Sequence, residues 1–204
     1  MNRILCVILG YLFGCILTAE LVTWRAAGKR AGEVGSGNPG TVNIAANLGV
    51  GHGAIVLAGD ILKTAIPCML CRFVLFPNLA ELSVLYAGVG VGVGHNFPFW
   101  NRFKGGLGVA VTCTYIVLAA PIWGLIANIT GLLLVFVTGY PAVGAVVIPF
   151  IHIIPVYIIF GTEAGLVAAA GTILLISRHI KVIGRIYSAD EKKIDFIAKL
   201  RPKN

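Results

Sequence analysis

Acidic residues are scarce in this chain. There are eight Asp and Glu in 204 residues, and charged residues of both signs make up only 12%. An ordinary soluble domain carries roughly twice that fraction, so a surface facing water on every side is excluded. Metal-ligand spacing is missing as well: the four histidines are scattered, and none pairs with the five cysteines at the intervals of a zinc site. Cys68 and Cys71 form one Cys-x-x-Cys, but it lies inside an apolar run, where two buried small side chains account for it. The cysteines are odd in number and imply no disulfide framework, and no metal or other cofactor is expected. The 16 Lys and Arg give a net charge of +8, yet they gather in a few loops and the C-terminal tail. That distribution reads as membrane orientation, not as a nucleic-acid surface.

What fills the sequence is apolar. Hydrophobic residues make up 58%, in runs that repeat down the whole length, which a single signal peptide does not explain. The expectation is an all-α integral membrane protein in one domain, 1–204. Runs at 4–24, 53–76, 82–97, 143–160 and 165–176 are each read as one membrane helix. The run 109–137 is too long for one crossing and carries Pro121 and Gly124 near its middle, so it is read as a helical hairpin. The total is seven spans. Arg25, Lys29 and Arg30 follow the first run and only Arg3 precedes it, which puts the N-terminus outside and the first loop in the cytoplasm. Seven spans then leave the tail, about 178–204, inside. There Arg178, Lys181, Arg185, Lys192, Lys193, Lys199, Arg201 and Lys203 outnumber Asp190, Glu191 and Asp195.

Three polar stretches interrupt the apolar pattern. Gly35-Ser36-Gly37-Asn38-Pro39-Gly40-Thr41-Val42-Asn43 can turn backbone N–H groups toward one point and add side-chain donors, as an anion site requires, although a plain turn uses the same residue types. Phe103-Lys104-Gly105-Gly106-Leu107-Gly108 is a second glycine-rich turn with a lysine at its entrance. Arg178-His179-Ile180-Lys181 closes the last run. The topology above places all three on the cytoplasmic face. Asp60 and Lys63 share a helical face within the second run, as a structural ion pair or as a device that orients the anion loop. Glu20 is read as structural. Gly88, Gly90, Gly92 and Gly94 favour close helix contact, and Trp24, Trp100 and Trp123 fall near span ends.

With Gly-Ser-Gly-Asn-Pro-Gly-x-x-Asn at 35–43, Gly94-His95-Asn96-Phe97-Pro98 leading into Phe103-Lys104-Gly105-Gly106, and Arg178-His179, the chain resembles the PlsY family of bacterial membrane acyl-phosphate:glycerol-3-phosphate acyltransferases. The resemblance runs over essentially the whole chain. It implies a seven-helix bundle in the bacterial cell membrane whose active site faces the cytoplasm. The implied reaction moves a fatty acyl group from acyl phosphate to the 1-hydroxyl of glycerol 3-phosphate, giving lysophosphatidic acid for phospholipid synthesis without a metal or thioester. Acyl phosphate, glycerol 3-phosphate and membrane lipids are the implied partners. Carried over by position, Ser36 and His179 are implied as catalytic, and Gly37, Asn38, Gly40, Asn43, Lys104, Gly105, Gly106 and Arg178 as substrate-binding. The chain departs from the family pattern at Ala46, Leu107, Gly139, Ala142 and Val182, each in place of a polar or cationic residue. Lys181 and Asn47 are the neighbours able to compensate. Two other classes remain: a divergent relative with another acceptor or a non-catalytic lipid-pathway binding role, and an anion transporter. The transporter requires mid-membrane charges and an internal repeat, and neither is found.

Overall fold

The computed structural model describes residues 1–191 and residue 193, and every regular element among them is helical. Lys192, Asp195, Lys199, Arg201 and Lys203 of the expected tail lie outside the described residues. The first apolar run is divided into α1 (Asn2–Gly14) and α2 (Thr18–Ala27), with an extended residue, Leu17 (φ −88°, ψ 94°), starting the second. After the glycine loop comes α3 (Thr41–Leu48), a helix the sequence reading did not contain. Its Ile44 is fully buried and, with Leu48, packs on Ala19, Ala31 and Val56, so tertiary burial stabilises a segment too short to fold by propensity.

α4 (Val50–Leu70) continues through a π-helical turn to Leu75, and α5 is Glu81–Asn96. α6 (Val109–Ala119) and α7 (Pro121–Thr138) occupy the run read as a hairpin. Ala120 alone separates them, and Pro121 takes the first helical position, where a missing N–H costs nothing. α8 is Pro141–Phe160 and α9 is Thr162–Tyr187. The seventh run thus continues past 176. Val182 and Ile186 carry the helical face beyond the first charges, and Arg178 and His179 lie inside α9, not at its end. Among the described residues five helical stretches are long and apolar enough to cross a membrane: Asn2–Ala27, Val50–Leu75, Pro121–Thr138, Pro141–Phe160 and Thr162–Tyr187. α5 and α6 are shorter.

α5 is the axis of the bundle and contacts α1, α4, α6 and α9. Two glycine pairs allow this. Gly90 and Gly94 meet the α1 backbone at Val7, Tyr11 and Gly14, while Gly10 and Gly14 of α1 meet Ala87 and Val91 in return, so a β-carbon at any of the four collides with the opposing main chain. Gly88 accepts the Tyr115 ring of α6, and Gly92 faces Leu174 of α9. Gly90→Leu is therefore expected to force α1 and α5 apart and cost at least about 3 kcal/mol, the upper range for overpacking. A lowered thermal unfolding midpoint with loss of monodispersity on gel filtration is the readout.

At the end of the bundle where α5 and α9 begin, arginines pair with carboxylates. Arg3 meets Glu163 (Nη2 to Oε2, 2.8 Å), which also accepts from the Tyr86 hydroxyl at 2.9 Å, and Arg72 pairs with Glu81 at 2.7 Å. The opposite end carries the polar loops.

Candidate functional site

The first loop is stapled by one buried side chain. Asn43 donates both hydrogens of its amide, to Val34 O and Asn38 O (2.9 Å each), and its Oδ1 accepts from Ser36 N–H (2.9 Å) and from the Asn47 amide (3.1 Å). Gly35 and Gly37 take positive φ (54° and 74°), the conformation such a compact turn requires. The loop does not, however, present its own amides freely. Ser36, Gly37 and Gly40 N–H are bonded to Asn43 Oδ1, Val34 O and Asn38 O. The helical amides left without an intrahelical acceptor are those of the first turn of α3, residues 41–43, beside a Thr41 hydroxyl that is buried and has no partner among the described residues.

The second loop turns back on the end of α5. Gly105 N–H donates to Asn96 O (3.1 Å) and Gly106 N–H to His95 O (3.0 Å), so these two amides also point inward, contrary to the expectation that they face an anion. Both residues must be glycine for steric reasons: a β-carbon at 105 runs into the His95 and Asn96 carbonyls, and one at 106 into the His95 ring. Arg178 of α9 holds the outer side of the loop. It donates from Nε to Gly106 O (3.3 Å) and from Nη2 to Gly105 O (3.2 Å), and its guanidinium lies 5.0 Å over the Phe97 ring. This places Arg178 as a support of the loop, where the resemblance implied a direct substrate contact.

Between the two loops lies a cleft of about 340 Å³, lined by Glu20, Arg30, Gly32, Glu33, Gly37, Pro39, Asn101, Lys104 and Gly105. Arg30 reaches across it to Asn101 Oδ1 (3.4 Å), and Asn101 donates to Lys104 O (2.6 Å). Each carboxylate of the lining has one oxygen engaged by backbone, Glu20 by Ala31 N–H (2.9 Å) and Glu33 by Arg30 N–H (2.8 Å). The cleft thus offers two cations, Lys104 and Arg30, and two carboxylates whose Oε1 atoms accept no hydrogen bond among the described residues.

Of the residues singled out in the sequence, Gly37, Lys104 and Gly105 line the cleft; Ser36, Asn38 and Gly40 belong to the loop that forms its wall. Asn43 and Gly106 are buried behind it. His179 is 1% exposed, with Nδ1 donating to Leu175 O (2.9 Å), and is not among the lining residues. Arg30, which in the sequence serves as a topological charge, and Asn101 are lining residues that the polar motifs do not include. The signal was available for Arg30, since it stands five residues before the glycine loop. Neither neighbour proposed as a compensating group joins the lining: Asn47 is bonded to Asn43, and Lys181 is exposed on α9.

A bundle of apolar helices with a polar cleft between two glycine-rich loops at one end defines a multi-pass membrane protein. The family described as Glycerol-3-phosphate acyltransferase matches residues 4–189. Glycerol-3-phosphate acyltransferase 1 of Lactobacillus johnsonii is 36% identical over 203 residues, covering 100% of this chain and 98% of that protein. Glycerol-3-phosphate acyltransferase of Bacillus subtilis is 32% identical over 197 residues, with 95% and 98% covered. A crystal structure of PlsY, described as an integral membrane glycerol 3-phosphate acyltransferase in its glycerol 3-phosphate form, superposes with a TM-score of 0.86 at 24% identity, covering 99% of this chain and 100% of that one. The chain belongs to the PlsY family of glycerol-3-phosphate acyltransferases.

Proposed function

We propose that this chain transfers a fatty acyl group from acyl phosphate to the 1-hydroxyl of glycerol 3-phosphate, forming lysophosphatidic acid for phospholipid synthesis in the cleft between its two loops. The observation that carries the reading is the presence of Lys104 and Arg30 together in that cleft, in a chain whose full-length relatives are named glycerol-3-phosphate acyltransferases. A mixed anhydride brings its own good leaving group. The protein has only to hold two anionic substrates in contact and stabilise charge developing on the carbonyl oxygen, which convergent cations and amides do. Lys104 serves the phosphate of one substrate, and Arg30 serves that of the other. Ser36 and His179 are assigned to the reacting groups by resemblance.

The setting goes with this reading. We place the chain as one domain of seven spans in the bacterial plasma membrane, with α1 and α2 together as the first and the cleft in the cytoplasm. Arg25, Lys29, Arg30, Arg102, Lys104, Lys181 and Arg185 all belong to the loop end, against Arg3 and Arg72 at the other.

Incubating purified protein in detergent with labelled glycerol 3-phosphate and palmitoyl phosphate, palmitoyl-coenzyme A or palmitoyl-acyl carrier protein tests both substrate and donor. Labelled lysophosphatidate from the acyl phosphate alone is expected, and product from a thioester alone overturns the donor assignment. A second reading is favoured by Glu20 and Glu33, which make the lining electroneutral: an acceptor richer in hydroxyls than in charge. A panel of unlabelled polyols and polyol phosphates competing in the same assay separates the two. Arg30→Ala is expected to raise KM for glycerol 3-phosphate about tenfold at nearly constant kcat, because a phosphate contact kept throughout the reaction is uniform binding.

A further inference from the structure

The break between α1 and α2 leaves main-chain carbonyls of a membrane-embedded helix end without intrahelical partners, which is costly in apolar surroundings. Two of them are taken up by side chains from different elements. Cys15 O accepts from Trp100 Nε1–H of the second loop at 2.7 Å, and Ile16 O accepts from Lys63 Nζ of α4 at 2.8 Å. Lys63 does more than neutralise its neighbour. Its ammonium has three hydrogens and lies 2.8 Å from each of three partners: Ile16 O, Asp60 Oδ1 and His95 Nδ1. Lys63 and Asp60 are both about 4% exposed. An ion pair serving only to neutralise itself has no need of the other two contacts.

Two of the three contacts, those to His95 and to Ile16 O, lead to the walls of the cleft. With Nδ1 accepting from the ammonium, the His95 ring is fixed and its far edge abuts Gly106, while the His95 carbonyl accepts Gly106 N–H. That is the second loop. On the other side of the break, α2 carries Glu20, whose carboxylate accepts Ala31 N–H at 2.9 Å and so fixes the entry to the first loop. We propose that Lys63, backed by Asp60, is a positioning residue that sets the two loops of the cleft against one another through the break between α1 and α2, with Trp100 as its second tie. The inference rests on the proposal that this cleft is the transfer site, but its geometry is testable without turnover.

The test uses the full-length protein with spin labels at Lys29→Cys and Arg102→Cys, exposed positions on the two loops; the five native cysteines are buried or half-buried. Double electron–electron resonance reads the distance between the loops. A narrow distribution is expected in the parent. Broadening is expected in Asp60→Asn/Lys63→Met, which removes both charges together and leaves none stranded, and in Trp100→Phe, which keeps an aromatic ring and removes the Nε1–H donor. In unlabelled protein the same substitutions are expected to lower kcat/KM about tenfold or more, as misplacement of a binding group does. If the double variant does not fold, Trp100→Phe decides alone. An unchanged distribution in the folded variants overturns the proposal. Broadening in variants of a protein that shows no acyl transfer sinks the functional reading and leaves the positioning role standing.

Discussion

Replacing Lys104 by alanine is expected to lower kcat/KM for acyl transfer about a hundredfold and to leave the thermal unfolding midpoint unchanged. The lysine is exposed, and among the described residues its side chain makes no hydrogen bond or ion pair, so truncating it removes nothing that holds the fold together. It stands on the lip of the cleft, with its own carbonyl held by Asn101 at 2.6 Å and the following glycine bonded to the end of α5. The stem is thus anchored and the ammonium is free to close on a phosphate. A charge-assisted contact is worth about 1.5–3 kcal/mol, and each 1.36 kcal/mol is a factor of about ten in rate. Lys104→Arg keeps the charge but exchanges a compact ammonium for a planar fork, so partial activity is expected. Steady-state kinetics of the two variants, set beside their melting curves, check both statements.

The second large effect is expected at Asn43. This side chain is only 6% exposed and uses donors and acceptor alike within the loop. Asn43→Asp has almost the same shape, yet it turns an acceptor toward the carbonyls of Val34 and Asn38 where two donors stood. Asn43→Ala leaves those carbonyls and Ser36 N–H without their partner. Breaking such a network costs a few kcal/mol, so both variants are expected to lose roughly a hundredfold in kcat/KM, Asp more than Ala. The ordering is diagnostic. A residue contacting substrate through its carbonyl oxygen would tolerate Asp better than Ala, whereas one holding the loop through its NH₂ does not.

Much of this architecture is legible in the sequence because apolar run length and glycine punctuation are one-dimensional signals. The runs at 53–76, 82–97 and 143–160 are filled by α4, α5 and α8, and the glycines of α5 do mediate close helix contact. The split of the first run was hidden, because residues 15–17 contain neither proline nor glycine; the break exists through Lys63 and Trp100, distant partners that satisfy its carbonyls. α3 was hidden for a similar reason, its hydrophobic face being one side of a cluster supplied by α2 and α4. In the cleft, residue types identified the two loops, but they did not reveal which N–H groups point outward. Ser36, Gly37, Gly105 and Gly106 all use theirs internally, which only the folded geometry shows. Arg30 was passed over because a basic residue beside a membrane helix has a sufficient explanation in topology.

We propose acyl transfer to glycerol 3-phosphate in the cleft between the two loops, despite the cations missing at Ala46, Leu107 and Gly139. Phosphate release from palmitoyl phosphate by the purified protein, with and without glycerol 3-phosphate, beside the Ser36→Ala/Lys104→Ala double variant, tests it most directly. Release that depends on glycerol 3-phosphate and disappears in the double variant is the predicted result. Release from the parent no greater than from the double variant, with both proteins folded, would contradict it.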